Sequence, residues 1–149
     1  ARFFGNQLGD GQIPRRRRLL DPEFCRSRTN QHHIENAAKT AEDIHAKAIV
    51  GMTSSGYTAF KVSSYRPKNT IEIYIFSDRQ HMLSTLNLVW GVRCYYYDQF
   101  TTTDETITDV TEILKQDGVI KEGDIIVNTA TMPLHRRHRT NMLKVTVVD

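Results

Sequence analysis

The stretch of this sequence with the clearest chemical potential is the glycine- and hydroxyl-rich run at residues 51–58. It follows a short apolar run, and the apolar spacing becomes helical from Tyr57 onward. A strand that enters a helix through such a turn points backbone N–H groups and the positive end of the helix dipole at one position. The pattern predicts an anion site whose members offer N–H or hydroxyl donors: Thr53, Ser54, Ser55, Gly56, Tyr57 and Thr58.

The spacing from Gly51 to Thr58 nearly matches the phosphate loop of nucleotide hydrolases. Tyr57 stands where that loop has its lysine, so the positive charge for a triphosphate is missing. This argues against a hydrolase that would use Asp78 as its metal ligand, and it favours a site for a single phosphate. An ordinary strand-to-helix turn, capped by Ser55 or Thr53 and binding nothing, remains the alternative.

The basic character of the chain belongs to its first thirty residues. The 149 residues carry a net charge of +3, but residues 1–30 hold seven arginines and three acids, and the remainder sums to −1. We expect a flexible basic arm of unassigned origin at 1–30 and a domain at 31–149. A near-neutral domain makes nucleic acid an unlikely partner, and the arginine run at 15–18 also fits a solvated linker.

Cysteine use and hydropathy indicate the compartment. Cys25 and Cys94 lie far apart and form no metal or redox spacing, and no apolar run reaches membrane-spanning length. We expect a cytoplasmic protein without a membrane segment, and a fragment or processed chain because it begins at Ala1 and shows no signal peptide. His32, His33 and His45 lack partners at ligand spacing, so no metal is expected.

Strand and helix patterns alternate along the chain. The first helix is predicted from Gln31 to Ala46. The helix from Tyr57 is predicted to place Tyr57, Phe60 and Ser64 on one face, with Ala59 and Val62 beside it. Two further helices are predicted at 77–88, capped by Ser77 or Asp78, and at 104–116, started by Thr103 with Thr106 or by Asp104. Strands are predicted at 48–50, 71–76, 92–97, 125–128 and 142–148.

This alternation predicts an α/β fold with parallel strands and helices on both faces of the sheet. Ligands bind such sheets beyond the carboxyl ends of the strands, where the loops at 53–58, 77–79, 98–104 and 131–141 meet. The last loop carries Arg136, Arg137 and Arg139, which we expect either to clamp a second phosphate or to form a solvated charged loop.

From about Ile34 to Val148 the chain resembles the C-terminal domain of pyruvate kinase, particularly the bacterial form. The motifs that carry the resemblance occur in the order and spacing of that family: AKAI at 46–49, TSSGYTA at 53–59, KVS at 61–63, YRP at 65–67, LVWGV at 88–92, TD at 103–104, IKEGD at 120–124 and TNM at 140–142.

The resemblance implies a three-layer α/β/α sandwich with a five-stranded mixed sheet in the order 3-2-1-4-5, the last strand antiparallel. It also implies a phosphorylated effector, a sugar phosphate or nucleotide monophosphate, at residues 53–58 under the loop at 131–141, and a homo-oligomer. Magnesium, potassium and the catalytic residues belong to a (β/α)₈ barrel that 149 residues cannot hold beside this domain. We therefore expect no catalytic residue and no cofactor here. A stand-alone structural or interaction domain with a vestigial phosphate site is the alternative.

Overall fold

Helices and strands alternate along the described chain. The computed structural model describes residues 22–68, 70–99, 101–131 and 140–149, with side chains from His32 onward. The elements are α1 (Pro22–Asp43), β1 (Ala48–Met52), α2 (Tyr57–Ser64), β2 (Glu72–Ser77), α3 (Gln80–Leu86), β3 (Val92–Tyr96), α4 (Thr103–Gln116), β4 (Ile125–Ala130) and β5 (Met142–Val147). Among the described helices, none combines the length and hydropathy that crossing a membrane requires.

The five strands form one sheet in the order β3-β2-β1-β4-β5. The first four strands are parallel, and β5 pairs antiparallel with β4. All five residues of β1 are buried because this central strand is covered on both faces, which explains why its sequence is continuously apolar. The sheet confirms the predicted three-layer α/β/α sandwich, including its strand order, and the predicted strand limits hold to within two residues.

Separate apolar cores fill the two faces of the sheet. On the first face, α1, α2 and α3 cover side chains from every second strand position. The core on this face includes the helix residues Ile34, Ala37, Ala59, Val62 and Leu86 and the strand residues Ile49, Ile73, Ile75 and Val127. On the second face, α4 covers the alternate positions. The core on this face includes the helix residues Ile107, Val110 and Leu114 and the strand residues Val50, Tyr74, Phe76 and Ile126.

Helix α1 differs from its predicted limits at both ends. It begins at Pro22 rather than Gln31, because a proline is tolerated in the first helical turn, where the missing N–H has no intrahelical partner. Its first nine residues therefore fall inside the segment predicted as a flexible arm. At the other end, His45 adopts φ 55°. The N–H of Ala46 donates to Ala41 at 2.8 Å, and that of His45 donates to Glu42 at 3.3 Å. This Schellman arrangement ends the helix at Asp43 without the usual glycine.

The predicted caps of α3 and α4 were wrong. Helix α3 starts at Gln80, and its N-cap residue Arg79 makes no side-chain cap bond; instead, the Arg79 N–H donates to Ser77 Oγ at 3.3 Å. Helix α4 is capped one residue earlier than predicted, by Thr102 in a reciprocal capping box with Glu105. Both errors concern which of several adjacent polar residues adopts the extended cap conformation.

The face of α2 that was predicted to hold Tyr57, Phe60 and Ser64 is the outer face of the helix. Its small residues Ala59 and Ser63 lie against the sheet with Thr58 and Val62, whereas Tyr57 and Phe60 are about half exposed. Small side chains allow α2 to approach the sheet closely, so its aromatic residues occupy the outer face.

Candidate anion-binding site

The turn at residues 53–58 lies at the carboxyl edge of the sheet, between the central strand β1 and helix α2. The Thr53 N–H donates to the Phe76 carbonyl at 3.0 Å, which attaches the start of the turn to β2. In open parallel sheets this edge is where ligands bind. The fold therefore places the turn where a ligand would be expected.

Two internal hydrogen bonds shape the turn. The Gly56 N–H donates to Thr53 Oγ1 at 2.9 Å, and the Tyr57 N–H makes a longer bond, 3.5 Å, to Ser55 Oγ. The N-cap residue of α2 is Gly56, not Ser55 or Thr53 as the ordinary-turn interpretation predicted, but both side chains use a lone pair to accept an N–H near the helix start. Each hydroxyl still has a proton that it can donate to a ligand.

Several backbone donors at the turn are not used internally. Within the described residues, no hydrogen bond engages the N–H groups of Ser54, Ser55 or Thr58. Unpaired N–H groups at a helix start carry the positive end of the helix dipole and attract anions. The turn can therefore donate to an anion from both backbone and hydroxyl groups.

Two glycines allow the turn to pack closely on its neighbours. Gly56 has φ 80°, and a Cβ there would lie 2.8 Å from Met82 Cε and 3.1 Å from Leu86 Cδ2. A Cβ on Gly51 would lie 2.9 Å from Ile75 Cδ1 and 3.2 Å from Thr129 Oγ1. The turn is thus held between the sheet and α3, so its N–H groups have a fixed direction.

A residue far along the chain joins the turn. The hydroxyl oxygens of Thr58 and Thr140 lie 3.0 Å apart, and both side chains are buried. Local spacing could not reveal this contact because 82 positions separate the two residues. In the sequence, Thr140 belongs to the TNM motif that contributes to the resemblance.

The remaining predicted site residues differ in placement. Ser54 is partly buried and Ser55 exposed, while Tyr57 is 43% exposed at the start of α2. Arg136, Arg137 and Arg139 lie outside the described residues, so their predicted role stays a prediction. The turn itself carries no basic side chain. Arg79, at the start of α3, is a basic residue in the neighbouring loop of the same edge.

Two concave regions lie elsewhere on the described surface. A cavity of about 580 Å³ at the amino edge of the sheet is lined by residues that include Glu42, His45 and Lys68. The helices end at this edge, and the last carbonyl groups of a helix carry the negative end of its dipole, which does not attract an anion. Its chemistry is therefore poorer for a phosphate than that of the turn.

The second region, about 460 Å³, lies beside α4 and is acidic, with Asp98, Asp109 and Glu112 in its lining. The Tyr97 hydroxyl donates to Asp109 at 2.8 Å. Burial, together with this hydrogen bond, raises the pKa of Tyr97 to about 12. Asp109 is therefore engaged in holding α4 against the residue that follows β3.

Cys94 lies half-buried on β3 as a free thiol. Burial raises its pKa to about 11, so it stays protonated and unreactive near neutral pH. Cys94 packs against the apolar core of the first face.

Comparison with known proteins connects this fold and turn to one family. Residues 32–146 match the family described as "Pyruvate kinase, alpha/beta domain". The chain is 34% identical over 127 residues to a pyruvate kinase of Lactobacillus delbrueckii subsp. bulgaricus, a match that covers 85% of this chain and 21% of that protein. It is 37% identical over 109 residues to a pyruvate kinase of Clostridium acetobutylicum, covering 73% of this chain and 23% of that protein.

Solved structures give the same fold. A pyruvate kinase from Cryptosporidium parvum superposes with a TM-score of 0.71 at 21% identity, over 81% of this chain and 23% of that one. A second structure of Cryptosporidium parvum pyruvate kinase gives a TM-score of 0.68.

The sheet order and the turn at its carboxyl edge define an α/β/α domain with a candidate phosphate site. The chain belongs to the pyruvate kinase family and corresponds to its C-terminal alpha/beta domain. It spans about a fifth of the length of the curated relatives that it matches.

Proposed function

We propose that this chain is the regulatory and assembly domain of a pyruvate kinase and that it binds a phosphorylated effector at residues 53–58. The observation that carries the proposal is that the N–H groups of Ser54, Ser55 and Thr58 have no hydrogen-bond partner within the part of the chain that the structure describes. They lie at the carboxyl edge of the sheet, where α2 starts. Hydroxyl groups of the same turn supply further donors, so a single phosphate group matches the site in size and chemistry.

The effector is a sugar phosphate or a nucleotide monophosphate. The turn lacks the lysine that a triphosphate requires, because Tyr57 occupies that position. Arg136, Arg137 and Arg139 would add charge for a second phosphate from the loop that connects β4 to β5.

In the full enzyme, the reaction would be phosphoryl transfer from phosphoenolpyruvate to ADP, which yields pyruvate and ATP. The catalytic residues and the magnesium and potassium sites would lie in a separate barrel. The 149-residue chain by itself is expected not to catalyse this reaction. Effector binding would regulate the enzyme by favouring one arrangement of the assembled subunits, through a difference in affinity between those arrangements.

A thermal-shift screen of the chain tests effector binding. The panel holds fructose 1,6-bisphosphate, glucose 6-phosphate, ribose 5-phosphate, AMP and ATP, with sulfate as the anion control. A ligand at about a hundred times its dissociation constant stabilises by about 2.7 kcal/mol, which raises Tm by several degrees in a domain of this size. We expect a shift with one monophosphate or bisphosphate and little with sulfate.

Substitutions at the turn place the site. Ser55→Ala and Thr58→Ala remove hydroxyl donors and should abolish most of the shift. Ser64→Ala is the matched control, because Ser64 lies at the far end of α2 and donates to the Lys61 carbonyl. Equal Tm shifts in all three variants would show that the ligand binds elsewhere than at the turn.

A second function, a structural or interaction domain with a vestigial phosphate site, is favoured by the internal bonds of the turn. Thr53 and Ser55 already accept the Gly56 and Tyr57 N–H groups, and no basic side chain belongs to the turn. This alternative predicts no thermal shift with any phosphorylated compound and unchanged assembly in Ser55→Ala and Thr58→Ala.

A further inference from the structure

The Thr58–Thr140 pair joins the candidate phosphate turn to the last strand. Thr58 is in the first turn of α2, and Thr140 is two residues before β5. Each side chain is only 4% exposed, and their oxygens are 3.0 Å apart. A buried hydroxyl pair at this distance is a formed hydrogen bond that excludes water.

The backbone fixes the position of Thr140. The N–H of the next residue, Asn141, donates to the Ala130 carbonyl at 3.1 Å, and Met142 is paired with Ala130 at the end of the β4–β5 ladder. Thr140 is therefore held by the sheet, whereas Thr58 is held by α2. Their bond therefore connects α2 to the segment that leads into β5.

The number of protons in this pair determines which hydroxyl is the donor when an anion is bound. Two hydroxyl groups have two protons, and the bond between them uses one. Within the described residues, neither oxygen makes another hydrogen bond. An anion at the turn would accept a hydrogen bond from the Thr58 hydroxyl. Thr140 would then have to be the donor within the pair. Thr58 would then donate and accept at once, an arrangement in which each bond strengthens the other.

We infer that Thr140 is a positioning residue of the phosphate site: it donates to Thr58, directs the Thr58 proton at the bound anion, and tightens the start of β5 when the anion is present. This inference rests on the proposed function, since it concerns the same turn. It also gives the turn a physical connection to β5, the edge strand of the sheet.

The experiment is a ¹⁵N NMR titration of the 149-residue chain with inorganic phosphate, followed at the amides of Ser54, Ser55 and Thr58. Thr140→Val removes the hydroxyl but keeps the side-chain shape, and Thr140→Ser restores the hydroxyl. Thr111→Val is the matched control: its hydroxyl donates to the Ile107 carbonyl within α4, on the other face of the sheet. Thr58→Val and the double variant complete a cycle.

Thr140→Val should raise the dissociation constant for phosphate about three- to tenfold, the size of effect typical of one lost hydrogen bond. Thr140→Ser and Thr111→Val should stay within about twofold of the unsubstituted chain, and adding Thr140→Val to Thr58→Val should change nothing further. Phosphate should also slow amide exchange at Met142 and Leu143 in the unsubstituted chain but not in Thr140→Val.

Three results overturn the inference. If Thr140→Val binds phosphate as the unsubstituted chain does, or if Thr140→Ser is as weak as Thr140→Val, then Thr140 does not position the donor. If Thr140→Val weakens binding equally in the Thr58→Val background, it acts without Thr58. A different result, no movement of the turn amides in the unsubstituted chain, overturns the proposed function itself and the inference with it.

Discussion

Gly56 combines two constraints that experiment can separate. Its φ of 80° is a conformation that residues with a Cβ rarely adopt, and a Cβ there would contact Met82 and Leu86. Gly118 shares the first constraint, with φ 69°, but a Cβ there would meet nothing within 4 Å. The two positions therefore distinguish backbone strain from steric contact.

We expect Gly56→Ala to lower the free energy of unfolding by about 2–3 kcal/mol, because strain and overpacking add. Gly118→Ala should cost about 1–2 kcal/mol from strain alone. Urea unfolding of both variants measures the difference. Equal losses would show that α3 moves aside at no cost and that the turn is less rigid than its packing indicates.

Tyr97 gives a pH-dependent prediction. Burial and its bond to Asp109 raise its pKa to about 12, whereas an unfolded tyrosine titrates near ~10. Because this pKa is raised in the folded state, the protonated phenol contributes its full stabilisation of the fold below about pH 10. This contribution is lost as the pH rises towards 12. Tyr97→Phe should therefore cost about 1–2 kcal/mol at pH 8 and progressively less above pH 10.

Unfolding free energies of the two proteins at pH 8 and pH 11 check this prediction. Tyr96→Phe is the control, since Tyr96 is 44% exposed and donates to Asp98 at the surface. A Tyr97→Phe deficit that is the same at both pH values would mean that the phenol does not titrate in this window.

At the scale of elements, the end of α1 contains a side chain where helices usually place glycine. His45 has φ 55° in the Schellman arrangement, and it is exposed. Replacing it with glycine removes the strain of a left-handed conformation but adds freedom to the unfolded chain. The first effect is larger, so His45→Gly should raise the free energy of unfolding by about 0.5–1 kcal/mol.

Lys39→Gly is the control for this substitution, because Lys39 is exposed in the interior of the same helix. There the same change should destabilise by about 1 kcal/mol. Thermal unfolding of both variants gives the comparison. If both substitutions destabilise, the end of α1 does not carry the strain that its geometry indicates.

The elements show what sequence patterns can and cannot predict. The apolar run of β1 and the helical spacing of α4 are set by burial on known faces, so their existence and order follow from the sequence. The cap at Thr102 and the end at His45 depend on which of several adjacent residues leaves the helical conformation. Differences of less than about 1 kcal/mol decide such choices, and local composition does not resolve them.

The candidate site divides in the same way. Glycine and hydroxyl spacing predicts the turn at 53–58, because the relevant geometry is local. The spacing groups Tyr57 and Phe60 on one face of α2 but does not tell which face meets the sheet, and close packing over Gly51 selects small residues there. The contribution of Thr140 arises from tertiary structure alone, so no local pattern indicates it.

At the scale of the whole molecule, β5 is an edge strand with an apolar side. Val145 and Val147 are 45% and 55% exposed on the first face of the sheet, beside α1. An exposed edge can pair with another strand. Two copies related by a two-fold axis could join their β5 edges antiparallel and bury these valines together. The sequence predicts dimerisation through this strand or through the first helix.

We expect the chain to dimerise in sedimentation equilibrium and the double variant Val145→Lys/Val147→Lys to weaken the dimer at least about tenfold, equivalent to about 1.4 kcal/mol. Lysines on an edge strand oppose pairing through repulsion and desolvation. Leu88→Lys is the control, because Leu88 is 88% exposed on the connection between α3 and β3. Its substitution should leave the dimer intact.

A dimer that survives the β5 substitutions would place the interface on α1, and a chain that stays monomeric at high concentration would contradict the assembly role. If the β5 dimer forms, phosphate should strengthen it in the unsubstituted chain and not in Thr140→Val, because the hydroxyl pair is the connection between the turn and that edge.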